Sequence, residues 1–197
     1  MAPAVLTQHP VSGDTRTLRI RIGEPDDISA LADIERETAP MFAPGVLPPA
    51  LALPLPEAEL KIAMQAGLLW IAEIDSSGPA GFMLLERHGM SLHIREIEVR
   101  PRFGRLGIGT LLLEQAGLVA AWLRLRFLTL TTFRNVAWNA PFYAKRGFVR
   151  ADDLYRFPHL QHALLYEAHA GLRDRVAMVR SLAATGRRFP AAGTLRA

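Results

Sequence analysis

One stretch of the chain, residues 97–109, constrains the fold more than any other. It reads I-E-V-R-P-R-F-G-R-L-G-I-G, which indicates a short strand, a proline that ends it and a glycine-rich turn. Residues 110–125 follow with the apolar periodicity of a helix. A turn of this kind exposes backbone N–H groups beside the positive end of the helix. The segment therefore predicts a binding site for a phosphate-bearing ligand.

Two better-known phosphate-binding loops do not fit this turn. A P-loop requires a lysine after its last glycine, whereas Gly109 is followed directly by Thr110. A dinucleotide fingerprint that starts at Gly107 would place its third glycine at Leu112. It would also need an acidic residue at the end of a strand about 20 residues further on, and the sequence has none there.

A second motif, residues 139–148, reads N-A-P-F-Y-A-K-R-G-F. It contains the signals of a complete short helix: Asn139 as the N-cap, Pro141 in the first turn and Gly147 as the left-handed stop. Two basic residues precede that glycine, where the negative end of a helix favours them.

Together the two motifs resemble the GCN5-related N-acetyltransferase (GNAT) family. The acyl-CoA turn of that family reads Gln/Arg-x-x-Gly-x-Gly/Ala after a strand ending in Val-x-Pro, and here Val99-Arg100-Pro101 and Gly107-Ile108-Gly109 match it. The second motif resembles the family's Ala-x-x-Phe-Tyr-x-x-x-Gly-Phe segment. The run T-T-F-R-N-V-A-W-N at residues 131–139 is also similar to a bacterial branch of the family with a T-T-F…W-N-x-P-F-Y segment.

The resemblance implies a mixed α/β fold with a mostly antiparallel sheet that is splayed between its fourth and fifth strands and flanked by helices. It implies acetyl-CoA as co-substrate, no metal, and transfer of the acetyl group directly to a primary amine of a small molecule or peptide. The residues expected to bind the cofactor are Ile97, Glu98, Val99, Gly104, Arg105, Leu106, Gly107, Ile108, Gly109, Thr110 and Asn135.

Gly104 departs from the family pattern, because it stands where the turn usually begins with Gln or Arg. The backbone donors do not depend on that side chain, but a contact to the phosphates is lost. Arg102 or Arg105 is the expected replacement source of positive charge. The loss of the contact at Gly104 is expected to affect the affinity for the cofactor.

The expected catalytic residues are Glu96 and Tyr143. Glu96 lies three residues before Val99, where acidic residues are frequent in the family, and is the expected general base, acting directly or through a water. Glu98 shares its strand face, and both it and His93 are alternative bases. The alternative to a catalytic role is a structural one, in which Glu96 is a surface carboxylate paired with Arg95 or Arg100.

Tyr143 matches the tyrosine that stands near the coenzyme sulfur in many relatives and can protonate it. A phenol has an unperturbed pKa near that of a thiol, which suits proton donation to a thiolate. A purely structural role, as an aromatic core residue of a short helix, is the alternative.

Composition limits the chemistry further. The chain has no cysteine, so a covalent acyl-cysteine intermediate is excluded and transfer must be direct. The net charge of +4 comes without any basic run interleaved with aromatics, which disfavours nucleic acid as a partner. The histidines lack the spacing of metal ligands.

The chain is long enough for one domain, predicted at residues 16–182, between a flexible N-terminal arm at 1–15 and a flexible tail at 183–197. It has neither a membrane-spanning run nor a signal peptide, so a cytoplasmic location is expected. Pairing of sheet edges makes a homodimer possible. The alternative function is a non-catalytic acyl-CoA-binding or interaction module with the same fold, which Gly104 favours and which Glu96 and Tyr143 oppose.

The remaining patterns place the elements. Strands are predicted at residues 17–22, 68–74, 80–87, 91–99, 127–133, 148–151 and 175–181, and helices at 27–38, 57–66, 110–125, 139–146 and 159–170. In the helix at 27–38, Glu35 lies on the same side as Leu31 and Ile34. Residues 40–56 contain six prolines and are predicted to be a loop beside the acceptor entrance, in which Met41 and Phe42 are expected to contact the acceptor.

Overall fold

The computed structural model of the protein describes residues 7–10, 17–49, 53–75 and 77–182. Its strands are β1 (Thr7–Pro10), β2 (Thr17–Ile22), β3 (Leu69–Ile74), β4 (Gly78–His88), β5 (Ser91–Val99), β6 (Phe127–Phe133), β7 (Val149–Arg150) and β8 (Arg175–Ser181). Its helices are α1 (Ile28–Thr38), α2 (Glu57–Gln65), α3 (Ile108–Trp122), α4 (Ala140–Ala144) and α5 (Pro158–His169).

The strands form one sheet in the order β1-β2-β3-β4-β5-β6-β8-β7. Every neighbouring pair is antiparallel except β5 and β6, which run parallel. That parallel pairing covers only three residue pairs, from Ser91–Phe127 to His93–Thr129. Because β5 continues to Val99 and β6 to Phe133, the two strands part beyond this point. The predicted splay is confirmed. It lies between β5 and β6, which are the fourth and fifth of the predicted strands because β1 was not predicted.

Helices cover both faces of the sheet. Helix α3 packs on one face of the sheet. The apolar side chains on its buried side contact those of β2, β4, β5 and β6 in the largest core cluster. On the opposite face, α1 and α2 pack against β3 and β4, and the buried side chains there include Leu31, Ile34, Leu60, Ile71 and Phe82. A two-sided sheet of this kind fixes the faces to which functional side chains on β5 can point.

A β-bulge interrupts β5 in its middle. Leu84 of β4 pairs with Glu96, whereas the next residue, Leu85, pairs with Ile94, so Arg95 is an extra residue on β5. In a regular strand, side chains alternate between the two faces of the sheet. One extra residue shifts this alternation, so every side chain after the bulge points to the face opposite to the one that strict alternation predicts.

The consequence appears on both sides of the sheet. Ile94 before the bulge and Ile97 and Val99 after it all pack against the α3 cluster. Glu96 and Glu98 therefore face α1. The sequence placed the two glutamates on one face but gave no sign of the bulge that directs them.

Most predicted elements match the structure to within two or three residues at each end, and β6 and β8 match at both ends. The N-terminal arm is different: Thr7–Pro10 form an edge strand, with Thr7 opposite Ile20 and Pro10 opposite Thr17. Pairing of an edge strand uses main-chain groups, which composition does not reveal. The other residues of the predicted arm, and the tail at 183–197, lie outside the described residues. No helix within the described ranges combines the length and apolarity needed to cross a membrane.

Candidate active site

The glycine-rich turn after β5 has the backbone shape that the sequence predicts. Pro101–Phe103 form a single 3₁₀ turn, and Arg105 and Gly107 then adopt left-handed conformations with φ of 64° and 83°. Gly107 caps α3, which begins at Ile108. Glycine adopts this conformation without the steric cost that a side chain would bring.

Five consecutive backbone amides of this turn are available as donors. The amide of Gly104 donates to the carbonyl of Pro101 at 3.0 Å, and that of Thr110 donates to the carbonyl of Gly107 at 2.9 Å. Between them, the amides of residues 105–109 have no backbone acceptor within the described part of the chain. They lie at the positive end of α3, where they form what we call the amide cradle, an arrangement that stabilises an anion.

The amide cradle lies next to the open end of the sheet. Beyond His93 and Thr129, β5 has lost β6 as a neighbour, so the edge that carries Ile97, Glu98 and Val99 is not paired with that strand. An elongated ligand that is anchored by its phosphates at the cradle can therefore run along β5 as an added strand does.

Three carboxyl groups converge where β5 meets α1. Glu98 accepts a hydrogen bond from the hydroxyl of Thr38 at 2.6 Å. Glu35 is buried and accepts hydrogen bonds from the amide of Leu55 at 2.9 and 3.2 Å. Glu96 is half-buried, and its Oε2 atom is shielded from solvent without a hydrogen-bond partner among the described residues.

Burial and mutual repulsion raise the pKa values of this group. Burial raises the pKa of Glu98 to about 7, with the Thr38 hydrogen bond acting against the shift and the charge of Glu35 adding to it. The pKa of Glu96 lies well above its usual range, first because of burial and then because of the charges of Glu98 and Glu35. Burial also raises the pKa of Glu35. Glu96 and Glu98 therefore keep their protons to a higher pH than ordinary carboxyl groups do, and the two titrate together.

The structure does not support the alternative in which an arginine neutralises Glu96. Arg95, the bulge residue, forms ion pairs with Glu59 at 2.6 Å and with Glu86 at 3.0 Å. Arg100 pairs with Glu37. Glu96 takes part in none of the ion pairs found within the described ranges, and the nearby charge of Arg95 only partly opposes the rise of its pKa that burial causes.

Tyr143 on α4 is a buried aromatic residue. Its ring packs edge-to-face against Phe142 and Phe148, with centroid distances of 5.2 and 5.7 Å. Burial raises the pKa of its hydroxyl, against the charges of Arg175 and Arg146, so the phenol keeps its proton throughout the neutral range. The pKa is thus not the ordinary one that the sequence suggests.

His93 is a poor base in this structure. It lies at the closed end of the splay, and its Nδ1 is 3.2 Å from the hydroxyl of Thr129. Burial, with repulsion from His159, lowers its pKa to about 3. The rings of His88 and His159 stack in parallel beside it, with their centroids 4.7 Å apart, and the sequence did not predict this contact. No cluster of potential metal ligands occurs within the described residues.

The remaining predicted residues lie around the open end. Asn135 is exposed in the loop after β6. Phe42 of the proline-rich loop packs on Phe133 at 5.2 Å and on Trp138 at 6.2 Å, so this loop covers the free end of β6. A substrate that enters from this side would meet Phe42 and Trp138.

Asn139 occupies the predicted N-cap position of α4 without capping through its side chain. Its Oδ1 instead accepts a hydrogen bond from the hydroxyl of Thr132 at 2.7 Å, so it ties α4 to β6. The sequence correctly marked the start of the helix and missed this long-range partner.

Sequence reasoning also missed the contact between the segment after α4 and the first turn of α3, next to the amide cradle. Thr110, which was expected to touch the cofactor, accepts hydrogen bonds from Arg146 Nε at 3.0 Å and Nη2 at 2.6 Å. Arg146 also stacks on Phe142, with its guanidinium carbon 3.6 Å from the ring centroid. Basic residues near the end of α4 were noted only as favourable for the helix.

A sheet splayed beside a helix-capping turn with available amides defines a class of α/β protein whose cleft has room for an elongated, anionic ligand. Comparison with known proteins places the chain beside one family of that class. Residues 65–150 match the family model described as the acetyltransferase (GNAT) domain. The structure of Rv2747 from Mycobacterium tuberculosis in complex with CoA and NLQ is similar, with 21% identity and a TM-score of 0.61, over 83% of this chain and 98% of that one.

Two further structures show the same fold. The PaiA N-acetyltransferase from Thermoplasma acidophilum in complex with coenzyme A has 17% identity and a TM-score of 0.60, over 84% of this chain and 99% of that one. The ribosomal-protein-S18-alanine N-acetyltransferase from Escherichia coli has 20% identity and a TM-score of 0.58, over 87% and 99%. The chain thus shares the fold of these structures, and its residues 65–150 match the GNAT domain model. Its assignment to a particular bacterial branch stays a prediction.

Proposed function

We propose that the protein is an acetyl-CoA-dependent N-acetyltransferase that transfers the acetyl group directly to a primary amine of a small molecule or peptide. The observation that carries this proposal is the parting of β5 and β6 beside the five available amides of the cradle. Two of the similar structures contain CoA or coenzyme A, which supports the same ligand here.

In this proposal the amide cradle binds the diphosphate of acetyl-CoA, with residues 104–110 around it. The pantetheine arm runs along the edge of β5, where the main chain of residues 97–99 offers hydrogen bonds to its amides. Asn135 is the proposed side-chain contact further along the arm. The thioester is then directed towards the face of β5 that carries Glu96 and Glu98.

The reaction needs an uncharged amine. The cluster of three glutamate carboxyl groups is suited to accept the proton of that amine. The amine nitrogen attacks the thioester carbon, the C–N bond forms and the C–S bond breaks. The proton that leaves the nitrogen passes to the Glu96–Glu98 pair, directly or through a water. Since a base works best with a pKa near the working pH, Glu98, with a pKa of about 7, suits this role better than Glu96, which is the base expected from the sequence and whose pKa lies well above its usual range.

Tyr143 is the proposed donor to the departing sulfur. Its phenol, which burial keeps protonated, donates a hydrogen bond to the departing sulfur. The proton moves to the sulfur as the C–S bond breaks, and the proton held by the glutamates restores the phenol through solvent. With no cysteine in the chain, no acyl-enzyme on sulfur enters the scheme.

A non-catalytic acyl-CoA-binding module is the second candidate, and Gly104 at the usual Gln/Arg position favours it. Calorimetry with acetyl-CoA and CoA, followed by a free-thiol release assay over a panel of primary amines, separates the two. Binding with thiol release on at least one amine is the expected result. Binding without release on any acceptor would favour the module, and absence of binding would refute both.

The other features predicted from the sequence keep that status. They are a single domain at residues 16–182, a cytoplasmic location and a homodimer formed through a sheet edge. Size-exclusion chromatography with light scattering tests the last of these.

A further inference from the structure

The guanidinium of Arg146 lies against the first turn of α3. Two of its nitrogens donate to the hydroxyl of Thr110, and Nη1 donates to the carbonyl of Phe142 at 2.9 Å. Thr110 is the third residue of α3, directly after the last amide of the cradle. A positive charge is therefore held within one helical turn of the predicted anion site.

Among the described residues, no carboxylate forms an ion pair with this charge. The hydrogen bonds of Arg146 go to a hydroxyl and a carbonyl, and Arg146 is absent from the ion pairs found within residues 17–49, 53–75 and 77–182. Three other half-buried or buried arginines have carboxylate partners: Arg21 with Asp27, Arg100 with Glu37 and Arg175 with Glu167. Arg180 is like Arg146 in having no ion pair among the described residues, but its Nη1 donates to the carbonyl of Arg146 and not to the first turn of α3. A guanidinium without such a partner keeps its attraction for an anion.

The position of Arg146 is also fixed in advance. The guanidinium stacks on the ring of Phe142, and that ring lies so close to Gly109 that a Cβ atom there would be 3.3 Å from its Cζ. The three hydrogen bonds use three of the five N–H donors of an arginine, which leaves two for a ligand. A side chain held in place in this way loses little entropy when it binds.

The two arginines that the sequence suggested are less suitable. Arg102 is exposed and its guanidinium lies 4.9 Å from the ring centroid of Phe103, and Arg105 is exposed on the left-handed residue of the turn. Neither has a side-chain hydrogen bond to hold it beside the amides within the described residues. Of the three, only Arg146 is anchored at the first turn of α3.

We propose that Arg146 binds the diphosphate of acetyl-CoA and supplies the positive charge that is missing at Gly104. This assignment rests on the proposed function, because it requires that the cradle holds a CoA diphosphate. It names the segment directly after α4, in addition to the turn, as a source of cofactor affinity.

The test compares Arg146→Gln with the matched control Lys145→Gln, which removes the same charge from the exposed neighbouring residue. Dissociation constants are measured by calorimetry for acetyl-CoA and for acetyl-dephospho-CoA, which lacks the 3′-phosphate. Arg146→Gln should weaken both by roughly 10- to 100-fold, the usual range for a charge-assisted hydrogen bond. Lys145→Gln should change either by less than about twofold, as expected for an exposed charge.

Two further measurements exclude a merely structural role. Binding of acetyl-pantetheine, which has no phosphate, is followed by ligand-observed NMR and should be equal in the parent and in Arg146→Gln. Arg146→Lys should regain a large part of the lost affinity for acetyl-CoA, since it restores the charge. The thermal melting of each variant without ligand is recorded to confirm that it is folded.

Several results would overturn the assignment. Equal affinity of Arg146→Gln and the parent for acetyl-CoA would refute it while leaving the proposed function intact. If Arg146→Gln loses affinity for acetyl-CoA but not for acetyl-dephospho-CoA, Arg146 binds the 3′-phosphate and not the diphosphate. An equal loss with acetyl-pantetheine, or no recovery in Arg146→Lys, would make it a structural residue. If the parent itself binds no CoA ligand, the proposed function fails first and this assignment fails with it.

Discussion

Replacing Glu98 by glutamine is expected to make the protein more stable at pH 8 and to leave it nearly unchanged at pH 5. Glu98 has an ordinary pKa of 4.5 and a pKa of about 7 in the folded protein. Below pH 4.5 the group is protonated in both states, so it contributes no difference. As the pH rises from 4.5 to 7, the unfolded chain ionises first and the folded state loses stability relative to it.

The size of the effect follows from the difference between the two pKa values. A difference of about 2.5 corresponds to about 3 kcal/mol, since each pKa unit is worth about 1.4 kcal/mol. This is an upper limit, because Glu96 and Glu98 titrate together and solvent reaches part of the site. We therefore expect Glu98→Gln to gain about 1–3 kcal/mol at pH 8 and less than about 0.9 kcal/mol at pH 5. Its amide oxygen keeps the hydrogen bond from Thr38.

Urea denaturation of the parent and of Glu98→Gln at pH 5 and pH 8 measures this difference directly. Glu114→Gln is the control, since Glu114 is exposed on α3, and it should change the unfolding free energy by less than about 0.5 kcal/mol at either pH. The reasoning is refuted if Glu98→Gln is less stable than the parent at pH 8, or if its advantage is the same at both pH values.

Four other outcomes are expected. The kcat/KM of the parent should rise with pH to a midpoint near 7 if Glu98 accepts the amine proton, and Glu98→Gln should remove that midpoint; a parent profile that is flat between pH 5.5 and 8.5 contradicts this assignment. Thr38→Val should move the same midpoint upwards, because its hydrogen bond lowers the pKa of Glu98, and a downward move would be inconsistent. Tyr143→Phe should slow thiol release at an acetyl-CoA affinity within about twofold of the parent, and an unchanged rate removes Tyr143 as the acid. Gly107→Val should abolish detectable acetyl-CoA binding in calorimetry, whereas Gly78→Val, at a similar φ of 71° but in the β3–β4 turn, should retain it; equal binding by both would mean that the turn shape is not needed.

The elements that could be predicted are those whose signals are local. β8 and β6 were placed at both ends because β-branched and apolar residues alternate within them, and the turn at Gly107 was recognised from the only residue type that adopts its φ readily. The bulge at Arg95 and the edge strand at residues 7–10 depend on which residue of a neighbouring strand is opposite, and no local pattern encodes that pairing.

The same distinction applies to the candidate site. Glu96 and Glu98 were found because they are two residues apart on one strand, whereas Glu35 and Thr38 reach them from α1, about 60 residues away in the chain. Glu35 did leave a trace, since it lies on the apolar side of its helix with Leu31 and Ile34. The link from Arg146 to Thr110 joins residues 36 positions apart and left no trace in the sequence.

The extra residue in the middle of β5 makes that strand intolerant of changes in length. Deleting Arg95 would bring Ile97 and Val99 round to the side of Thr38 and would drive two carboxyl groups into the hydrocarbon interior beneath α3. A surface loop of this protein can gain or lose a residue without such an exchange. In any attempt to graft this site onto another scaffold, the parity of residues between the closed end of the cleft and the two glutamates must be copied together with the side chains.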